Sequence, residues 1–139
     1  MRVYAIELTK DDDSWLVTCP ALPEVTSFGD TEEDARTHAA DAIEEALAAR
    51  IADGRDIPLP SVTNKGSNVV VPLQTQLKVE LYQAMREDGK SRADLQRAMK
   101  THRPQVDRLF DLNHASKLSQ LEAAFRALGR DVDIAVKAA

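Results

Sequence analysis

The stretch Ser91-Arg92-Ala93-Asp94-Leu95-Gln96-Arg97-Ala98-Met99-Lys100-Thr101-His102-Arg103-Pro104-Gln105-Val106-Asp107-Arg108-Leu109 decides how the back half of this chain folds. Leu95 and Met99 stand four apart on one candidate helix, and Val106 and Leu109 stand three apart on the next. Two short helices joined by a tight turn can therefore share one small core. Ser91, with Asp94 three residues on, reads as a capped helix start. Thr101 or His102 starts the second helix, and Pro104 suits its first turn, where a missing N–H costs no intrahelical bond. That helix then presents Arg103, Gln105 and Arg108 outward, residue types that hydrogen-bond the edges of guanine and adenine. The pattern is that of a helix-turn-helix, and duplex DNA is the expected partner of this half.

Outward from that core, Leu77, Leu81, Ala84 and Met85 recur on one face of a helix running from Leu73 to Gly89. Ser116 or Lys117 opens a further helix through Leu118, Leu121, Phe125 and Leu128, ended by Gly129. Asn113, His114 and Lys117 follow the recognition helix and are candidates for phosphate contact together with Arg92 and His102. Lys78 and Lys100 are weaker candidates of the same kind. Asp133 to Val136 is expected to add a small strand or arm.

The front half reads differently. Residues 2 to 8 and 15 to 19 have the β-branched and aromatic content of strands, joined by Asp11-Asp12-Asp13-Ser14. Pro20 and Pro23 bracket a turn before a third strand at Val25 to Phe28. Thr31 caps a helix with Asp34 placed to reach back to it, an acidic variant of the capping box. Ala35, Ala39, Ala42, Ile43, Ala46 and Leu47 form the stripe that faces the sheet, and Gly54 ends the helix. The polar stretch Thr63 to Asn68 leads into a last strand at Val69 to Val71, placed at a sheet edge. The expected class is α+β, with a small antiparallel sheet and one packed helix in residues 1–72 and an all-α helix-turn-helix domain in 73–139.

Charge divides the chain at the same place. Residues 1–62 hold 5 Lys/Arg against 14 Asp/Glu, a net −9, and residues 63–139 hold 13 against 9, a net +4. An acidic front repels nucleic acid and suits a basic protein, whereas a basic back suits phosphate. Cys19 is the only cysteine, so no internal disulfide is available and a reducing compartment, the cytoplasm, is expected. No apolar run approaches the roughly 20 residues of a membrane span, so no membrane partner is expected. His38, His102 and His114 lack metal-ligand spacing. The acids Asp11–Asp13 and Glu32–Asp34 are better read as a solvated turn and a helix first turn than as a metal site. No cofactor, metal or catalytic residue is expected.

Both halves together resemble the HicB antitoxins. The likeness rests on Tyr4, Trp15, Pro20-Ala21-Leu22-Pro23, Gly29-Asp30-Thr31, Ala35 and Ile57-Pro58 in front. Behind, it rests on Lys78-Val79, Leu81-Tyr82, Ala84-Met85-Arg86, His102 to Leu109 and Leu128-Gly129-Arg130. The resemblance is to the helix-turn-helix class of that family. It implies a partial ribonuclease-H-like front domain that caps a HicA-type ribonuclease toxin, and a back domain that binds operator DNA as a dimer or tetramer and represses the shared operon. Trp15, Glu32, Glu33, Asp34, Asp41, Glu44 and Glu45 are the expected toxin-facing residues, chosen by charge and aromatic character. The chain departs from the family pattern at Gln96, Lys100, Lys90, Thr101 and Glu24; Lys100 and Glu24 stand where turn glycines are usual. Two other readings remain open at this point: a divalent-metal ribonuclease using the front domain, and a free-standing transcription regulator.

Overall fold

The computed structural model describes residues 2–59 and 67–138. The chain is α+β, with an antiparallel sheet and one helix followed by four helices, and it divides into two compact units, Met1–Gln76 and Leu77–Ala139.

In the first unit, β1 (Val3–Asp11), β2 (Ser14–Thr18) and β3 (Thr26–Gly29) form a meander. β4 (Ser67–Val70) adds to the free edge of β1, giving the order β3-β2-β1-β4 with every neighbour antiparallel. The first strand is longer than its sequence signal. Lys10 and Asp11 pair with Trp15 and Ser14, so the acidic connection shrinks to Asp12-Asp13, with Asp12 in the left-handed region at φ 52° that aspartate tolerates. The fourth strand starts earlier than expected, because Asn68 and Ser67 pair with Ala5 and Ile6. The remainder of the polar stretch, residues 63–66, lies outside the described residues.

The helix α1 (Glu32–Ala52) covers one face of this sheet. Thr31 Oγ1 accepts the N–H of Asp34 at 3.1 Å, while the reciprocal bond of a full capping box is found at Ser91 instead. Ala35, Ala39, Ile43, Ala46, Leu47 and Ile51 of the helix are buried, as are Tyr4, Ile6, Val17, Cys19, Leu22 and Val25 of the sheet and its connection. The alanines let helix and sheet approach closely. At Gly29 a Cβ would lie 2.3 Å from the backbone nitrogen of Ala35, so glycine is required for the start of α1 to sit on β3. After α1, Tyr4 Oη donates to the carbonyl of Pro58 at 3.0 Å, tying the segment that holds buried Ile57 back to the first strand.

In the second unit, α2 (Leu73–Asp88) supplies residues from Leu77 onward, and α3 (Arg92–Met99), α4 (Arg103–Leu109) and α5 (Leu118–Ala127) follow. Val79, Leu81, Tyr82, Ala84, Met85, Leu95, Val106, Leu109, Phe110, Leu121, Ala124 and Phe125 form its core. Met99 and Leu77, both expected inside, are half-buried, and Leu118 is exposed. Gly89 and Gly129 take the left-handed conformation that closes α2 and α5. The expected strand at Asp133 to Val136 does not form, and residues 130–138 have no regular structure. Strand pairing needs a partner edge, and this segment has none within its own unit.

Candidate functional site

The segment α3-turn-α4 is built from local signals. Ser91 Oγ accepts the N–H of Asp94 at 3.1 Å and the Asp94 carboxylate accepts the N–H of Ser91 at 2.8 Å, a complete capping box. Lys100 ends α3 with φ 54° and ψ 46°, its N–H returning to the carbonyls of Arg97 and Gln96. His102 is the N-cap of α4 without a side-chain cap bond. Gln96 is half-buried, and the two helices still pack through buried Leu95, Val106 and Leu109.

At 100° per residue, the buried side of α4 runs through Val106, Leu109 and Phe110, which sets Pro104 and Arg108 farthest outward. Arg103 and Asp107 then fall on one flank and Gln105 on the other. Arg108 and Arg103 are exposed and Gln105 is half-buried. The three therefore spread across the helix rather than forming a single cluster.

Asp107 organises the Arg103 flank. Its Oδ1 accepts from Arg103 Nε at 2.8 Å and from a terminal nitrogen of Arg92 at 2.9 Å. The Arg103 hydrogen bond, followed by that from Arg92, holds the Asp107 carboxyl below the usual range. Arg92 also lies over the Phe110 ring, 4.8 Å from its centroid. It thus joins α3 to α4 and the start of the next loop, a packing role that its place in the sequence does not reveal.

Lys78 is where the structure departs most from the sequence reading. It is fully buried, and Nζ donates to the carbonyls of Arg108, Asp111 and His114 at 2.9, 2.7 and 2.5 Å. A phosphate contact through this ammonium is ruled out. It closes the C-terminal end of α4 and the loop behind it, where carbonyls lack intrahelical partners. Burial pushes its pKa down, opposed by the charge of Asp111. A signal existed: Lys78, Leu81, Tyr82 and Met85 follow the helical three-and-four spacing, so the lysine falls on the apolar face. Asn113 and Lys117 are exposed and His114 half-buried along the loop so pinned; the Asn113 N–H is held by Asp111 Oδ1 at 2.9 Å.

In the first unit, Asp34, Asp41 and Glu45 share the side of α1 opposite its buried stripe, and all three are exposed. Glu44 sits on the flank, half-buried, and burial followed by the charge of Asp41 raises its pKa. Glu32 pairs with Arg36 at 3.5 Å, and Glu33 is exposed in the first turn. The acids thus form a ridge and a separate helix start rather than one patch. Trp15 is half-buried, opposite Lys10 and Gly29 in the register, with Lys10 Nζ 5.1 Å from its ring centroid. Phe28 differs: it projects from the sheet face away from α1, opposite Leu16, and is 50% exposed.

The acids of the Asp11–Asp13 turn and those at the start of α1 remain separate, and no group of three His, Cys, Asp or Glu side chains gathers among the described residues. No described helix is long and apolar enough to cross a membrane.

The fold is an α+β unit with an acidic ridge followed by a four-helix unit that displays arginines. The model of the HicB-like antitoxins of bacterial toxin-antitoxin systems matches residues 3–80, and the chain belongs to that family. Antitoxin HicB of Pseudomonas fluorescens is 39% identical over 100% of this chain and 97% of its own. Antitoxin HicB 2 of Photorhabdus laumondii is 33% identical, covering 94% of each chain. Antitoxin HicB of Escherichia coli K12 is 30% identical over 94% of this chain and 96% of its own. Membership implies a toxin as partner.

Proposed function

We propose that this antitoxin neutralises a HicA-type, mRNA-cleaving toxin through its first unit and represses its own operon through a helix-turn-helix in its second. The observation that carries the DNA reading is the arrangement of α4: Arg108 faces outward on a helix whose end is fastened from behind by Lys78. A recognition helix must keep its orientation while its side chains exchange water for base edges, and a buried three-carbonyl anchor supplies that rigidity. Arg108 and Gln105 read bases; Arg103, His102, Asn113, His114 and Lys117 hold phosphates, with Arg92 supporting them through Asp107. Self-association pairs two such units on an operator with half-sites about 34 Å apart.

On the toxin side, Asp34, Asp41 and Glu45 meet basic groups of the toxin's RNA-binding surface, flanked by Glu32, Glu33 and Glu44, with Trp15 at the end of the sheet. The acidic balance of residues 1–62 supports this reading. The cytoplasm, where mRNA and operon are both found, is the compartment it requires.

The test is binding of the purified protein to its own upstream DNA at several salt concentrations, beside calorimetric titration of toxin. Sequence-selective binding that Arg108→Ala abolishes supports the repressor; binding that is weak and equal on unrelated DNA overturns it. Toxin affinity unchanged after reversing Asp34, Asp41 and Glu45 together would remove the acidic ridge from the toxin contact.

A further inference from the structure

Pro104 and Arg108 lie within about 30° of the outward direction of α4, Asp107 about 75° from it, Gln105 about 85° and Arg103 about 115°. Proline brings no polar side-chain group, so within α4 the polar side chain turned most outward after Arg108 is that of Asp107, which is 46% exposed. Its two oxygens are used unequally. Oδ1 accepts from Arg103 Nε at 2.8 Å and from Arg92 at 2.9 Å, while Oδ2 has no donor among the described residues. Two guanidinium charges outweigh the one carboxylate, so the group as a whole is drawn to phosphate and can enter a groove that an isolated aspartate would avoid. The double clamp also holds the carboxylate in one orientation, which a base-reading group needs.

We infer that Asp107 Oδ2 reads a cytosine in each operator half-site by accepting a hydrogen bond from its N4 amine. This deepens the operator-binding part of the proposed function and rests on it. The chemistry of the groove selects the base. In the major groove only the N4 amine of cytosine and the N6 amine of adenine donate, whereas guanine N7 and O6 and thymine O4 accept and repel a carboxylate. Adenine sets a second acceptor, N7, beside its amine. A carboxylate whose other oxygen is taken by Arg103 and Arg92 has no donor to offer that atom. Cytosine carries only a C–H in the same place, so it is the base that a single, fixed acceptor fits. Selection therefore comes from repulsion of the wrong bases as much as from the bond to the right one.

The experiment measures binding of the full-length parent, Asp107→Asn and Asp107→Ala to the protein's own upstream DNA, with each base pair of the bound site varied singly. The expected result is one position per half-site at which the parent prefers cytosine to guanine or thymine by about tenfold. Asp107→Asn keeps Oδ1 for the two arginines and puts an amide N–H group where Oδ2 stood. Its preference at that position should invert, toward the acceptors of guanine or thymine, with the other positions unchanged. Asp107→Ala should show no preference there. A residue that only clamps Arg92 and Arg103 would instead flatten the preferences at all positions together. Circular dichroism confirms that each variant is folded, and the near-isosteric Asp107→Asn carries the test if the alanine variant is not. No cytosine-preferring position, a preference that Asp107→Asn leaves as it was, or a loss spread over every position overturns the assignment. In those outcomes the parent still selects its operator, so the repressor reading survives; equal binding of the parent to all sequences removes both.

Discussion

Lys78 Nζ donates to the carbonyl of Arg108 at 2.9 Å from a fully buried position, so the residue that presents the proposed recognition side chain is held through its own backbone. Replacing Lys78 by Met keeps the stem and removes a charged donor from the carbonyls of Arg108, Asp111 and His114, of which Arg108 keeps the N–H of Asp111 at 3.3 Å and Asp111 keeps the N–H of His114 at 3.1 Å. Loss of a charged donor to a buried carbonyl costs about 1–3 kcal/mol, offset in part by removing a desolvated charge, so a net loss of about 1 kcal/mol is expected. Urea unfolding of the helical signal by circular dichroism measures it. A loss under about 0.5 kcal/mol would show that the three bonds merely break even against water.

Asp107 places a carboxylate between Arg92 and Arg103 on the face proposed to meet phosphate. Asp107→Ala should lower stability by about 1 kcal/mol, as two partly exposed ion pairs are lost. It should also raise affinity for DNA of any sequence, by removing a like charge and freeing Arg103. Arg108→Ala should cost about 1–3 kcal/mol on the operator and far less on unrelated DNA. Anisotropy titrations of both variants on both DNAs separate the two effects, and a fall in non-specific affinity for Asp107→Ala would contradict this account.

Lys100 occupies the left-handed region at φ 54° and ψ 46°. A side chain there costs about 1 kcal/mol that glycine avoids, so Lys100→Gly should stabilise the protein by an amount of that order, reduced by the greater chain entropy of unfolded glycine. Thermal melting with unchanged helix content is the measurement. A lower Tm would mean that the Lys100 side chain contributes more than its backbone costs.

Glu24 and Arg50 form a two-bonded pair, with distances of 2.7 and 2.9 Å. The Arg50 hydrogen bonds hold the Glu24 carboxyl at about 2, below its ordinary 4.5. The unfolded state therefore binds the proton first on acidification. The pair's contribution is complete above about pH 4.5 and is lost as pH falls toward 2. Because the Glu24 side chain is 37% exposed, the contribution is limited to about 1 kcal/mol. Glu24→Gln should accordingly be less stable than the parent at pH 7 and indistinguishable from it near pH 2, in denaturant titrations at both pH values.

The turn that Glu24 occupies shows where sequence reading stops. Glutamate in place of a turn glycine looks like a loss when only the loop is considered, yet its carboxylate fastens the β2–β3 connection to the end of α1, 26 residues away. Lys78 and Arg92 give the same lesson in the second unit. Both are candidates for phosphate contact by sequence. Lys78 is an interior cap, and Arg92 in addition bridges α3 and α4.

The sequence by itself determined several helix ends and the class of the fold: the capped starts at Thr31 and Ser91, the glycine stops at Gly54, Gly89 and Gly129, and the α+β make-up of the chain. Those signals act over three or four residues, through capping bonds and helical spacing, and need no knowledge of the rest of the chain. The tertiary structure alone decided that β4 joins β1, that Asp107 gathers two arginines, and that a lysine in an apolar stripe anchors three carbonyls 30 to 36 residues away. Whether a charge is solvated or buried depends on which distant groups packing brings within about 3 Å, and local spacing carries no record of them.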